Sequence, residues 1–165
     1  PVVVVRGDNP VTEDTKYGPV VVGVDGSGVS QKAIEYAFAE ASARECELIA
    51  VHTWMDMQIQ ASLAGLSAAQ QQWKIVEEEQ NMLLGHRLAG YAERYPDVQV
   101  TRVVTRDRPV RALVDAAKGA QLLVVGSHGR GGFKGMLLGS TSRALLQSAP
   151  CPMMVVRPDS DAKAH

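Results

Sequence analysis

The sequence predicts an α/β fold, a three-layer α/β/α sandwich built on a five-stranded parallel sheet. Three observations carry this. After residue 18, five β-like runs alternate with helical patterns, as in a parallel sheet whose crossovers are helices. Two of those runs, Val20-Val-Val-Gly-Val-Asp25 and Leu122-Leu-Val-Val125, are apolar with no alternation, which fits strands covered on both faces. The first and fourth runs each open into a glycine-rich polar loop, Asp25-Gly-Ser-Gly28 and Gly126 onward. Ligands bind such sheets at carboxyl strand ends where the strand order reverses. If those two strands are neighbours, the order is 3-2-1-4-5 and both loops border one crevice.

Each element has its own signal. Val20 to Asp25 is the first strand. Ser30 to Arg44 has a helical period, with Ala33, Ile34, Ala37, Phe38 and Ala41 on one face. Glu47 to Trp54 is the second strand. Ser67 to about Tyr95 is a long helix, with Ser67 as N-cap and Pro96 as terminator. On it, Trp73, Leu83, Leu84, Leu88 and Tyr91 read as packing residues and Glu77-Glu-Glu79 as a solvated face. Val98 to Thr105 is the third strand. Pro109 suits the first turn of the next helix, which presents Val110, Leu113, Val114 and Ala117 and is closed by Gly119. Leu122 to Val125, Ser140 to Ser148 and Met153 to Val156 complete the pattern as strand, helix and strand.

The amino-terminal residues repeat the carboxyl-terminal ones. Pro1-Val-Val-Val-Val-Arg6-Gly7 parallels Pro152-Met-Met-Val-Val-Arg157-Pro158. This predicts that residues 1–18 are the last strand of a preceding, similar domain plus a linker. The domain proper spans 19–158, and 159–165 form a tail. Met153–Val156 would be an apolar edge strand, which invites antiparallel pairing with a second chain or with Val2–Val5.

Composition narrows the partners. The formal charge of −1 argues against nucleic acid and against an anionic membrane surface. No apolar run approaches the roughly 20 residues of a membrane-spanning helix, and no signal-peptide pattern is seen. Cys46 and Cys151 lack any metal-binding spacing and read as buried thiols in a reducing compartment. The expected location is cytoplasmic.

The segment Gly126-Ser-His-Gly129-Arg130-Gly-Gly-Phe-Lys-Gly-Met-Leu-Leu-Gly139-Ser140-Thr141-Ser142 joins the fourth strand to the last helix. Glycines let backbone N–H groups approach a ligand, and a helix N-terminus adds unpaired N–H groups and a positive dipole end. Together they suit a phosphate chain. A P-loop is excluded because Lys134 is followed by Gly135. Gly26-Ser-Gly28-Val-Ser-Gln31 misses the dinucleotide fingerprint at its third position. The spacing G-x2-G-x9-G-[ST] is met by Gly126, Gly129, Gly139 and Ser140. Beside these readings stand plainer ones. Gly126 and Gly129 could merely turn the chain, Asp25 could cap the next helix, and Ser140 could be an N-cap. Arg130 reads equally as phosphate clamp or loop cation. His52 reads as a core histidine, and His128 as a structural one.

These residues resemble the universal stress protein family, in its ATP-binding branch. The resemblance rests on Val22-Gly-Val-Asp-Gly-Ser27, Pro109-x-x-Ala-Leu-Val114, Gly126-Ser-His-Gly-Arg-Gly131, Leu138-Gly-Ser140 and Cys151-Pro152-x-x-Val-Val156. It implies an adenine nucleotide alpha hydrolase-like fold that binds ATP, with or without Mg²⁺. Asp25 would face the ribose or a phosphate-bound metal, and the backbone of Gly23 and Val24 would flank the base. Thr53 would hold adenine through main-chain groups. Gly126, Gly129 and Arg130 would line the phosphates, and Gly139, Ser140 and Thr141 would cap them. Thr53 and Thr141 depart from the family's usual aliphatic residues. Tandem domains are common in the family, and the expected assembly is a homodimer or tandem-domain pairing through Met153–Val156. The expected role is an ATP-dependent regulatory module in stress response, with slow Mg²⁺-dependent ATP hydrolysis or a dimerisation scaffold as alternatives.

Overall fold

A computed structural model describes residues 1–5, 17–54, 70–129 and 137–158, without the side chains of 70–73. In chain order the elements are β1 (Val2–Val4), β2 (Val20–Gly23), α1 (Gly28–Ala43), β3 (Leu48–Thr53), α2 (Gln70–Arg94), β4 (Val100–Thr105), α3 (Pro109–Ala116), β5 (Leu122–Gly126), α4 (Ser140–Ser148) and β6 (Met153–Val156). Among the described residues, all the strands form one sheet in the order β1-β6-β5-β2-β3-β4.

The expectation of a five-stranded, wholly parallel sheet is corrected here: the sheet is six-stranded and mixed. β2 to β6 pair in parallel, in the order β4-β3-β2-β5-β6. β1 adds to β6 antiparallel, with Val3 opposite Met154. The physical reason is the exposed edge that β6 would otherwise present. The anticipated antiparallel contact on Met153–Val156 is therefore made within this chain, by Val2–Val4. The segment between β1 and β2 lies mostly outside the described residues.

Successive residues of the central strands point to opposite faces, and each face is dry. Val20, Val22, Val24, Leu122 and Val124 pack with Ile34 and Phe38 of α1 and Leu84 and Leu88 of α2. Val21, Leu123, Val125 and Val155 pack instead with Leu113 of α3 and Leu145 of α4. That is why the strand sequences carry no polar alternation. Phe38 further stacks on Tyr91 and Tyr95, with centroids 5.8 and 5.9 Å apart. Leu83 was expected to pack but is 39% exposed, while its neighbour Leu84 is buried. Trp73 and Ser67 fall outside what is described of α2. Glu77, Glu78 and Glu79 are solvated. Cys46 and Cys151 are free thiols.

The start of α1 differs from the expectation by two residues, and those of α3 and α4 do not. α1 begins at Gly28, capped by Ser27, whose side chain accepts from the Ser30 N–H. α3 has Pro109 in its first turn, as expected. α4 begins at Ser140 with Gly139 as its N-cap, so Ser140 itself does not cap the helix.

Candidate functional site

β2 and β5 are adjacent and parallel, with Val22 opposite Val124. Their carboxyl ends therefore lie side by side, and the loops after them meet. Beyond β2, Asp25 turns the chain into α1: its Oδ1 accepts from the Ser27 N–H at 2.9 Å. This is an Asx turn, not a helix cap; Ser27 is the cap. The Ser30 hydroxyl also accepts from the Gly26 N–H at 3.1 Å, so the first turn of α1 is tied down from both sides.

The loop after β5 reaches across to this turn. A Cβ built on Gly129 would lie 2.6 Å from Asp25 Oδ2, so the residue-129 backbone rests against the carboxylate. At Gly126 a Cβ would meet Val29 Cγ1 at 3.1 Å and the His128 carbonyl at 3.2 Å. At Gly139 the nearest atoms are 3.5 Å away, an ordinary contact. The three glycines thus differ. A Cβ at Gly126 would press on α1 and one at Gly129 on Asp25, whereas Gly139 has room among the described residues.

The described ends of the glycine-rich loop are pinned at Ser127. Its carbonyl accepts from the Gly139 N–H at 2.7 Å and from the Ser142 hydroxyl at 2.9 Å. Its N–H donates to the Val156 carbonyl at 2.7 Å, and its hydroxyl contacts His128 Nδ1 at 3.0 Å. Ser127 is fully buried. The start of α4 and the end of β6 are therefore held to the end of β5 through one residue. Sequence reasoning did not single out Ser127 or Ser142, since isolated serines beside glycines carry no distinguishing pattern.

Gly23, Val24 and Thr53 lie on the same end of the sheet. Gly23 pairs with Val51, and the Val24 N–H donates to the Val51 carbonyl at 2.9 Å. Thr53 ends β3 and is half-buried. A Cβ on Gly23 would press within 3.2 Å of Leu113, so its smallness serves the packing of α3. Gly126, Gly129, Gly139, Ser140 and Thr141 border the β5–α4 connection, with Ser140 and Thr141 in the first turn of α4. Arg130 lies outside the described residues. His52 is buried, as expected, and its Nδ1 is 2.7 Å from the Val24 carbonyl, with Nε2 3.0 Å from Gln80 Oε1.

Among the described residues, a helix N-terminus, a carboxylate and a glycine-rich strand end stand together at one switch point, and a helix N-terminus and glycine backbone of this kind suit an anion. Among the described residues, no group of three or more His, Cys, Asp or Glu side chains is placed to hold a metal ion. No helix among them is long and apolar enough to cross a membrane.

Residues 16–157 match the universal stress protein family. A universal stress protein of Mycobacterium tuberculosis is 52% identical over 157 residues, covering 95% of this chain and 51% of the relative. One from Mycolicibacterium smegmatis is 50% identical over 158 residues, covering 96% of this chain and 51% of the relative. The chain thus spans about half the length of these relatives. Among solved structures, a universal stress protein in complex with cAMP is similar at a TM-score of 0.57 and 26% identity, covering 86% of this chain and 97% of that one. On that match and these relatives, the chain belongs to the universal stress protein family.

Proposed function

We propose that this domain binds an adenine nucleotide, ATP foremost, and serves as a nucleotide-dependent regulatory module in a cytoplasmic stress response. The observation that carries this is the meeting of Asp25 with Gly129 at the switch point between β2 and β5. The crevice joins an acidic group suited to ribose hydroxyls with a glycine backbone and a helix N-terminus suited to phosphates. The cAMP complex of a similar protein supports an adenine ligand. Gly23, Val24 and Thr53 would border the base, Asp25 the ribose, and Gly126, Gly129, Arg130, Gly139, Ser140 and Thr141 the phosphates.

Mg²⁺ would come to this site only as a companion of ATP. Magnesium keeps most of its water and takes one or two carboxylates besides phosphates, and Asp25 is the carboxylate at this strand end. When bound it would neutralise phosphate charge. The role is binding, with weak ATP hydrolysis at most. Turnover needs a positioned water and a group to orient it, and Asp25 is already engaged in shaping the turn.

Assembly through β6 belongs to the same proposal. Val2 and Val3 remain 52% and 51% exposed although they form a strand. The relatives are about twice as long as this chain. A preceding domain whose sheet ends in β1, or a second copy, would cover those valines. Mass spectrometry of nucleotide released from freshly purified, denatured protein tests the ligand: ATP is expected, and NAD in its place would overturn the reading.

A further inference from the structure

We propose that His52 is a positioning residue for the nucleotide site, acting through the main chain of Val24. The inference rests on the adenine-nucleotide reading above and deepens it. His52 is 4% exposed and Gln80 9%, an adjoining polar pair inside an otherwise apolar layer. Burying such groups is costly unless each is hydrogen-bonded, and an apolar pair of similar size would fill the space without that cost. The pair therefore does something packing alone does not require.

What it does is hold Val24. The Val24 N–H donates to the Val51 carbonyl at 2.9 Å, and His52 Nδ1 lies 2.7 Å from the Val24 carbonyl. Both main-chain groups of Val24 are thereby fixed just beyond the end of β2. The next residue is Asp25, whose carboxylate meets Gly129. His52 itself precedes Thr53. One imidazole thus stands behind both strand ends expected to frame the base and ribose.

The proton on Nδ1 follows from the partners. A carbonyl only accepts, so Nδ1 must carry hydrogen. A neutral ring then needs a donor at Nε2, which Gln80 supplies when its amide is turned by a half rotation. A cationic ring donates at both nitrogens with the amide as placed. In either form Nδ1–H donates to Val24, and Gln80 on α2 holds the ring upright.

Two near-isosteres separate positioning from packing. The Asn amide nitrogen occupies the place of Nδ1, and the Gln amide nitrogen that of Nε2. His52→Asn keeps the bond to Val24 and loses Gln80, whereas His52→Gln does the reverse. Each loses one hydrogen bond, so their melting temperatures should fall by similar amounts. ATP titration of the whole chain, at a temperature where circular dichroism shows each variant folded, is the readout. The Asn variant should bind within about threefold of the unaltered chain, and the Gln variant should be weaker by about tenfold. Equal affinities for the two would overturn the positioning role alone. Failure of the unaltered chain to bind any adenine nucleotide would overturn the nucleotide reading and this inference with it.

Discussion

The carboxylate of Asp25 occupies the space into which a side chain at residue 129 would grow. A Cβ on Gly129 would stand 2.6 Å from Asp25 Oδ2, while Oδ1 of the same group accepts from the Ser27 N–H. Two loops separated by a hundred residues of sequence are thereby fitted to each other. Gly129→Ala should force the carboxylate aside and strain its bond to Ser27. The expected stability loss is about 0.5–1.5 kcal/mol, the net worth of one such bond. A double-mutant cycle with Asp25→Ala, read by urea unfolding, should show the alanine at 129 costing less once the carboxylate is gone. Additive losses would mean the contact has no energetic weight.

Gly139→Ala separates ligand approach from folding. Among the described residues its Cβ would meet no atom closer than 3.5 Å, so thermal stability should be nearly unchanged. ATP affinity should nonetheless fall by at least about tenfold, or roughly 1.4 kcal/mol. Unchanged affinity in the folded variant would show that phosphate does not approach the α4 cap.

Ser142→Ala removes a buried hydroxyl that donates toward the Ser127 and Gly139 carbonyls at 2.9 and 3.1 Å. Ser127 keeps its bond from the Gly139 N–H. The expected cost is about 1 kcal/mol. Faster amide exchange at Gly139 than in the unaltered chain would accompany it.

Cys151 supplies a pH test. Burial pushes its thiol up from 9.0 to about 11. The thiolate is disfavoured in the folded state, so this contribution to stability is complete below pH 9 and is lost as pH rises through about 11. Cys46 is raised too, by weaker burial. A thiol reagent at pH 8 should therefore label Cys46 first and Cys151 only on unfolding. Rapid labelling of Cys151 in the folded chain would contradict its burial.

Much of this fold was legible in the sequence, for identifiable reasons. Val20–Val22 and Leu122–Val125 are buried on both faces, and a run without polar residues says so directly. The face Ala33, Ile34, Ala37, Phe38, Ala41 of α1 is buried residue for residue, because a helix of regular period leaves little choice. The sheet's extent was less legible. β1 was read as another domain's last strand, and the apolar edge Met153–Val156 left open whether a second chain or Val2–Val5 would pair with it; the structure has Val2–Val4 there. At the site, the glycine spacing pointed to the β5–α4 connection but not to what surrounds each glycine. Gly126 was read as lining phosphate or merely turning the chain, and the crowding of a Cβ there by Val29 and the His128 carbonyl was not legible. Such long-range packing leaves no periodic trace. The buried partnership of His52 with Val24 and Gln80 was equally silent, since its members lie 28 residues apart in each direction.

Edge pairing can be tested by shortening the chain. Val2–Val4 covers the outer edge of Met153–Val156. Deleting residues 1 to 7 should uncover that apolar edge and produce self-association, seen by light scattering after size exclusion. A shortened chain that stays monomeric and soluble would show that the edge needs no cover.

Calorimetric titration of the purified, nucleotide-free chain with ATP, and separately with NAD, bears most directly on the central claim. The account predicts saturable ATP binding at one site per chain, weakened by Gly139→Ala, and little or no heat from NAD. NAD binding without ATP binding, or no heat from any adenine nucleotide, would contradict it.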